Sequence, residues 1–501
     1  MHNPEEKSYF QIIKSSALIG GSSMANIALG IVRTKAMALL LGPSGIGLLG
    51  LYGSVADLAR GIAGMGINGS GVRQIAEAVG TGDDDRIART VITLRRVSLV
   101  LGLVGALLLV GFKNQISRIT FGDGSHTLQI ALLGLVVLFG AVSSGQGALL
   151  LGMRRVADMA RLTVLGAFYG TVFSVLVVYF YGENGVVPSL ICTAFMAMAM
   201  SWWYSRKISV SHVPMQVAVV IGEASALLKL GVVFMASGLM SMGAAYLVQV
   251  FVLRHLGTDQ VGFYQAAWAI GGLYVGFILQ AMGADFFPRL TAVSRDNDHC
   301  NRLVNEQAEV SILLAGPGII ATLTLAPFVI HLFYSAEFEP AVEVLRWICL
   351  GMMLRVASWP VGFVLLAKGE RNLFFWSELA SWLFYVASVV VCIKWFGLIG
   401  TGVAFFALYI FYAIVIYFVA RRLSGFRWSR ANRRRALLIT VLLGTVFSGW
   451  YILPQAAATI MGSGVTAVAV IWSLRELCQL MPVEKLPKPV RYAARTMKLI
   501  P

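Results

Sequence analysis

Charged side chains are scarce in this 501-residue chain: Asp, Glu, Lys and Arg make up only 13% of it. An average soluble domain has about 25%. Hydrophobic residues make up 58% of the chain, and its mean hydropathy is +0.77. The length alone would suggest about three soluble domains, but this composition excludes that interpretation.

The sequence also has few of the residues that build metal, disulfide and nucleotide sites. Its five cysteines are scattered and never spaced as C-x-x-C, and no predicted span carries two histidines four residues apart. We therefore expect no disulfide framework and no metal site. The absence of G-x-x-x-x-G-K-[ST] excludes ATP hydrolysis by a P-loop. We expect no cofactor.

Long apolar runs, by contrast, recur along the whole chain, and runs of 18 or more residues can cross a bilayer as helices. The alternation typical of barrel strands is absent. The first run is too long for a cleavable signal peptide. We predict an all-α, polytopic membrane protein of about fourteen transmembrane helices. They lie at roughly 13–41, 46–67, 92–112, 127–151, 163–181, 185–203, 228–256, 261–284, 310–334, 341–367, 373–394, 398–420, 436–454 and 457–474.

Lys and Arg are distributed unevenly between the two sides of these spans. With the N-terminus in the cytoplasm, thirty-one of the forty lie in inner segments and four in outer ones. This bias predicts that both termini are cytoplasmic and that the number of spans is even. We interpret the net charge of +16 as a cytoplasmic collar that faces anionic membrane lipids, and we expect no nucleic-acid partner.

The sequence contains an internal repeat at an offset of 215 residues. Residues 12–49 align without a gap on 227–264, and the same offset places 143–151 on 358–366. Each unit holds six spans, so both units have the same orientation. We predict two parallel six-helix repeats that form two lobes around a central cleft. The predicted lobes are 1–215 and 216–420, followed by a basic loop, two extra spans and a basic tail at 421–501.

One short stretch, "GPSGIGLLG" at 42–50, contains the G-x-G-x-x-G of a dinucleotide-binding turn. That motif needs a strand before it, and here a long apolar helix precedes it. Its repeat partner, "GTDQVGFYQ" at 257–265, keeps Gly257 and Gly262 and loses the rest of the motif. We interpret the stretch as a hairpin tip where Pro43 ends one helix, and not as a phosphate cradle.

The opening "SSALIGGSSMANIALGIVRTKAMALLLGPSGIGLLGLY" resembles the first hairpin of the polysaccharide transport (Wzx-type) flippases. These belong to the multidrug/oligosaccharidyl-lipid/polysaccharide flippase superfamily, which also holds the MATE drug exporters and the MurJ-type lipid II flippases. The resemblance implies translocation of an undecaprenyl-pyrophosphate-linked oligosaccharide, an O-antigen or exopolysaccharide repeat unit, across the inner membrane. It implies alternating access, no enzymatic activity, and an association with other polysaccharide-assembly membrane proteins.

Ionisable residues inside the predicted spans are Arg33, Asp57, Arg60 and Arg355, which lie deep, and Lys35, which lies nearer the surface. Measured from the outer turn along the helices, Arg33 is about 15 Å deep, and Asp57 and Arg60 are about 21 and 25 Å deep. Such residues are functional candidates because burying charge in a membrane is costly. The repeat mates of all five are uncharged, namely Val248, Val250, Gly272, Val275 and Gly140. The charges are therefore not a requirement of the fold.

We interpret Arg33, Arg60 and Arg355, with Lys35, as a cationic cleft that receives a pyrophosphate or an acidic sugar. Asp57 either holds Arg60 or carries a coupling ion, a proton or sodium. Simpler interpretations stay open: Asp57 and Arg60 form a self-neutralising i, i+3 pair, and Lys35 snorkels to the surface. Glu378 lies nearer the inner face, and for it a functional role and a role in packing or at a helix start both stay open.

Three other charged groups are interpreted as structural. Asp83, Asp84 and Asp85 mark the start of a helix, and Glu343 pairs with Arg346. The seven arginines of 421–435 anchor the topology on anionic lipid. Two alternative functions remain: an ion-coupled MATE-like drug exporter, and a membrane-embedded glycan polymerase or ligase. The polymerase needs a large outer loop, and the predicted outer loops are short.

Overall fold

The computed structural model describes residues 4–208 and 217–480, and within these ranges the chain is helical throughout, without a strand. The prediction of an all-α fold is confirmed. The helices are α1 Pro4–Gly64, α2 Ile67–Thr81, α3 Asp84–Gly111, α4 Lys113–Thr120, α5 Thr127–Gly152, α6 Val156–Tyr181, α7 Val186–Ser205, α8 Val217–Leu256, α9 Thr258–Ala292, α10 Asn297–Thr324, α11 Ala326–Phe333, α12 Ala341–Ala367, α13 Arg371–Phe396, α14 Ile399–Ser424, α15 Arg430–Ile452 and α16 Gln455–Leu480.

Twelve helical stretches of the described chain are long and apolar enough to cross a membrane. Two of them contain a break: Gly20–Gly64 bends at Gly42, and Val156–Ser205 turns at Gly182–Gly185 between α6 and α7. The chain is therefore a multi-pass membrane protein. The predicted count of fourteen crossings, the orientation of the termini and the parallel-repeat axis stay predictions.

One predicted helix end is wrong, and for another the predicted end at residue 41 is right but the residue named as its cause is not. The span predicted at 310–334 ends at Thr324, because the apolar run continues into the separate short helix α11. Pro43 was expected to end the first helix, but the break lies at Gly42, whose φ of 63° is unfavourable for any side chain. Pro43 instead opens the second arm of α1, where its missing N–H costs no hydrogen bond.

The internal repeat is also visible in the helix lengths and in the backbone dihedral angles. At the offset of 215, α6 (Val156–Tyr181) matches α13 (Arg371–Phe396) residue for residue. The glycine after each helix has nearly the same conformation, φ 55° and ψ −134° at Gly182 and φ 58° and ψ −135° at Gly397. Gly42 and Gly257 both have positive φ and each ends the first helix of its hairpin.

The third helix of each repeat begins with the same cap, at an offset of 213. The Asp83 carboxylate accepts hydrogen bonds from the backbone N–H of Asp85 and Arg86, which confirms the predicted helix start at Asp83–Asp85. The Asp296 carboxylate accepts from the N–H of Asp298 and His299. The bond from His299 first, and then that from Asp298, lowers the pKa of Asp296.

The repeats differ at one place that matters for the site. In the first repeat the chain breaks at Met65 and Gly66, which both have positive φ, and α2 begins at Ile67. The corresponding residues of the second repeat, Gln280 and Ala281, lie inside the continuous helix α9. The first repeat therefore has a helix N-terminus at a depth where the second has none.

By its contacts the chain divides into two compact units, 1–262 with 333–335, and 263–332 with 336–501. The first has a core built on α2, α3, α5, α6 and α7, and the second a core built on α9, α10, α12 and α14. Fully buried core residues recur at repeat positions: Ile75 and Leu290, Val91 and Val304, Leu150 and Leu365. α8 packs on α1 and α2 in the first unit. The predicted lobe boundary at 215 stays a prediction.

The two extra helices are fastened to the second unit by buried ion pairs. Arg435 of α15 pairs with Glu309 of α10 and with Glu476 of α16, donating from Nε to Glu476 Oε2 at 2.9 Å. The predicted pair of Glu343 with Arg346 is confirmed, and Tyr451 of α15 donates a hydrogen bond to Glu343 at 2.7 Å.

Replacing Arg435 by glutamine is expected to destabilise the protein by about 2 to 3 kcal/mol, because two largely buried carboxylates, of Glu309 and Glu476, then lose their shared cation. The side chain of Arg435 is only 14% exposed. Thermal unfolding in detergent should show a melting temperature at least about 5 °C lower. The neighbouring exposed Arg434, replaced by glutamine, is the control. Equal melting temperatures for the two variants would contradict the anchoring role.

Candidate functional site

The first unit contains a cavity of about 380 Å³. It is lined by the end of α1, the start of α2, and parts of α3, α5 and α8. Among the residues whose side chains the structure describes, the ionisable ones in its lining are Asp57 and Arg60. The remaining polar lining comes from Asn68, Ser98 and Ser144. Two of the five predicted site residues thus lie together in a cavity.

Asp57 and Arg60 form an ion pair on one face of α1, and their side chains are 50% and 42% exposed. The space for the arginine comes from Gly140 of α5, where a Cβ atom would lie 2.6 Å from Arg60 Cδ. Gly140 is the repeat mate of Arg355, and Val275 is the repeat mate of Arg60. At each of these two pairs of repeat positions only one repeat has an arginine: Arg60 on α1 of the first repeat and Arg355 on α12 of the second.

The start of α2 adds a second source of positive potential to this cavity. Gly66, Ile67 and Asn68 line it, and no side chain caps the helix at Gly66. The first backbone N–H groups of a helix have no intrahelical partner, and the helix dipole places partial positive charge there. An uncapped N-terminus beside an arginine is a favourable place for phosphate oxygens.

Lys35 and Arg33 do not line this cavity. The Lys35 ammonium donates a hydrogen bond to the backbone carbonyl of Tyr334. Arg33 is half-buried on the first arm of α1 and makes no hydrogen bond or ion pair with any residue in the described ranges. Their part in substrate binding stays a prediction.

Arg355 lies in a different cavity, of about 150 Å³, formed within the second unit by α12, α13 and α14. Glu378 lines the same cavity, seven positions after the first residue of α13, which rules out the helix-start alternative and leaves the functional and packing roles open. The other lining residues are Trp359, Ser381, Trp382, Leu408, Tyr409 and Tyr412. The sequence prediction placed Arg33, Arg60 and Arg355 in one cleft, which stays a prediction.

Sequence reasoning missed the break at Met65 and Gly66, which brings the α2 N-terminus to Arg60. A signal was present in "GMGINGSG" at 64–71, where four glycines interrupt an apolar helix.

In the described part of the chain no cluster of His, Cys, Asp or Glu is arranged to hold a metal ion.

Comparison with known proteins places these features in a family. The model of the family described as "Polysaccharide biosynthesis protein" matches residues 36–343. A lipid III flippase of Escherichia coli (strain K12) is 22% identical over 403 residues, which cover 80% of this chain and 96% of that protein. A probable flippase, AglR, of Haloferax volcanii is 22% identical over 410 residues, which cover 79% of this chain and 80% of that protein.

Solved structures show the same fold. An inward-facing MATE multidrug transporter has a TM-score of 0.66 at 17% identity and covers 81% of this chain and 95% of its own. The lipid II flippase MurJ, in an inward closed conformation, has a TM-score of 0.65 at 12% identity. The match covers 93% of this chain and 99% of the MurJ chain. At these identities the likeness establishes a two-lobed, polytopic helical fold and nothing finer.

Proposed function

The chain belongs to the polysaccharide biosynthesis protein family, and on that premise we propose that it is a flippase for a lipid-linked oligosaccharide. The cargo we propose is an undecaprenyl-pyrophosphate-linked O-antigen or exopolysaccharide repeat unit. It moves from the inner to the outer leaflet of the inner membrane by alternating access. Relatives named as flippases support transport and not glycan polymerisation or ligation.

The observation that carries this proposal is that Arg60 and the uncapped start of α2 line the same cavity. Guanidinium groups bind phosphate oxygens through two parallel hydrogen bonds and stay charged when desolvated. Helix N-termini offer several N–H groups to the same oxygens. A pyrophosphate needs both kinds of donor, because it carries more oxygens than one arginine can satisfy.

The depth of Arg60 suits the start of the transport cycle. If the tip at Gly42 faces outward, Arg60 is about 25 Å from it, in the inner half of the membrane. A lipid entering from the inner leaflet then brings its pyrophosphate to this level with little movement. We propose that Asp57 holds Arg60 in place, or exchanges it for a coupling proton or sodium ion when substrate arrives.

A drug exporter of the MATE kind is the second candidate, because the MATE fold matches this chain. Its cargo would be cationic drugs. The Asp57–Arg60 pair is neutral in sum, and the partial positive charge of the α2 N-terminus disfavours a cation in this cavity. The lining residues therefore favour an anionic lipid-linked cargo.

Removal of the gene tests the proposal. We expect a lipid-linked oligosaccharide to accumulate in the inner leaflet, and its glycan identifies the natural cargo. A plasmid copy of the gene should restore export. Unchanged lipid-linked glycan together with increased drug sensitivity would favour the exporter instead.

The proposed topology has both termini and the loop 421–435 in the cytoplasm, as the distribution of Lys and Arg predicts. A membrane-impermeant maleimide added to intact cells should label a cysteine placed at Ser44 and should miss one placed at Arg430. Permeabilised cells, in which both positions react, provide the control. Labelling at Arg430 alone would reverse the proposed orientation.

A further inference from the structure

The small cavity of the second unit holds two opposite charges that do not pair. Arg355 and Glu378 both line it, yet no ion pair joins them, and the Arg355 guanidinium makes no hydrogen bond to any part of the described chain. Its centre lies 5.9 Å from the ring centroid of Tyr409. A guanidinium has five N–H donors, and leaving them unused inside a membrane is costly. The cavity is therefore built for a polar occupant.

The cavity walls are aromatic as well as charged. Trp359, Trp382, Tyr409 and Tyr412 line it, and Trp382 Nε1 donates a hydrogen bond to Glu378 Oε2 at 3.2 Å. Both residues lie on α13, four positions apart, so this hydrogen bond holds the carboxylate against its own helix. Gly362 leaves space for the Tyr412 hydroxyl, since a Cβ there would lie 2.6 Å from it. Aromatic faces with a few fixed polar groups are typical of sites that orient small ligands.

This cluster is not needed to build the fold. At the offset of 215, the first repeat carries small residues at all six of the corresponding positions. The mates of Arg355, Trp359, Glu378, Trp382, Tyr409 and Tyr412 are Gly140, Ser144, Thr163, Ala167, Ala194 and Ala197. α6 and α13 have the same length and are followed by a glycine of nearly the same conformation, so α13 does not need the large polar and aromatic side chains in order to form.

We propose that this cavity binds one uncharged hexopyranose ring of the transported oligosaccharide, an inference that rests on the proposed function. Sugar hydroxyls donate to the Glu378 carboxylate and accept from the Arg355 guanidinium, while the apolar face of the ring packs on the aromatic walls. Because the two charges are opposite, a charged sugar would leave one of them unmatched.

The size of the cavity limits the occupant to a single ring. At about 150 Å³ it is smaller than the roughly 300–1,000 Å³ of pockets that hold drug-sized molecules. The cavity thus has room for one sugar of the repeat unit, and the pyrophosphate common to all such lipids stays assigned to Arg60 by the proposed function. Specificity for the glycan and affinity for the lipid are assigned to different residues.

Two lipids separate these roles: undecaprenyl pyrophosphate, and the same lipid linked to N-acetylglucosamine. Their dissociation constants for the purified protein can be measured by native mass spectrometry. We expect the wild type to bind the sugar-bearing lipid about tenfold more tightly, as one or two added hydrogen bonds allow. Glu378→Gln and Trp382→Ala should reduce this difference to about twofold or less and leave the affinity for undecaprenyl pyrophosphate unchanged.

Trp376→Ala is the matched control, since Trp376 lies on the same helix, is 64% exposed and does not line the cavity. It should keep the tenfold difference. Arg60→Gln should weaken both lipids equally. Equal affinity of the wild type for the two lipids, or an unchanged difference in Glu378→Gln and Trp382→Ala, overturns the sugar site alone. Failure of both lipids to bind, or no effect of Arg60→Gln, overturns the proposed function with it.

Discussion

Replacing Arg60 by glutamine is expected to abolish export of the lipid-linked glycan while leaving the protein at its normal level in the membrane. Arg60 and the α2 N-terminus are the donors assigned to the pyrophosphate. Charge-assisted hydrogen bonds contribute about 1.5–3 kcal/mol each, so losing a bidentate pair should weaken binding by at least about a hundredfold. Complementation of a deletion strain, with protein levels measured in the same cells, shows the result.

The matched variants separate charge from shape. Arg60→Lys keeps the charge but loses the two-pronged geometry, so it should retain part of the export. Arg73→Gln is the control. Arg73 is an exposed arginine of α2 that pairs with Glu77 of the same helix, and neither residue lines the cavity. Normal export by Arg60→Gln would show that the Asp57–Arg60 pair is only structural, and the drug-exporter alternative would then gain support.

Asp57→Asn distinguishes the two roles proposed for the aspartate. If Asp57 only holds Arg60, export should fall modestly, since the amide can still accept a hydrogen bond. If it exchanges a coupling ion, the variant should bind lipid normally and lose its dependence on an imposed proton or sodium gradient. Normal export that keeps its gradient dependence would exclude both roles.

Replacing Gly47 by alanine is expected to reduce transport by about tenfold or more, through the contact between the two hairpin tips. A Cβ at Gly47 would lie 2.3 Å from the Thr258 carbonyl oxygen, and a Cβ at Gly262 would lie 2.0 Å from the Pro43 carbonyl oxygen. The two contacts are equivalent in the repeat. Gly47 and Gly262 are repeat mates, and so are Pro43 and Thr258. Backbone must move to admit either methyl group, at a cost of about 1–3 kcal/mol.

The tips lie at the outer end of the proposed transport path, so loosening them should favour opening to the outside. Maleimide labelling of a cysteine at Ser44 should therefore become faster in Gly47→Ala and in Gly262→Ala. Gly53→Ala is the control on the same helix arm, since a Cβ at Gly53 meets nothing within 4 Å. Unchanged labelling and transport in the Gly47 and Gly262 variants would mean that the tip contact has no part in gating.

Much of the fold could be predicted from the sequence, because membrane helices and repeats leave strong patterns. Apolar runs located α5 and α12 to within a residue or two, and the offset of 215 anticipated the matching glycines at 42 and 257. The family resemblance was confirmed by the family match. The end of α10 was missed because α11 continues its apolar run without a polar interruption.

The site was less predictable, because it depends on contacts that no local pattern records. The i, i+3 spacing was enough to predict the pair of Asp57 with Arg60. The partner of Lys35 is a carbonyl 299 residues away, which no sequence pattern indicates. Glu378 looked ordinary in sequence, since only the folded chain places it in a cavity with Arg355 and four aromatic rings.

Reconstitution of the purified protein tests the proposed transport most directly. Liposomes carrying undecaprenyl-pyrophosphate-linked N-acetylglucosamine in both leaflets are treated with an external, impermeant galactosyltransferase, which modifies only the outward-facing sugar. Wild-type protein should bring nearly all of the lipid within reach of the enzyme, whereas liposomes containing Arg60→Gln should stop at the outer half. A plateau at half for the wild type as well, with or without a proton or sodium gradient, would contradict the proposed flippase activity.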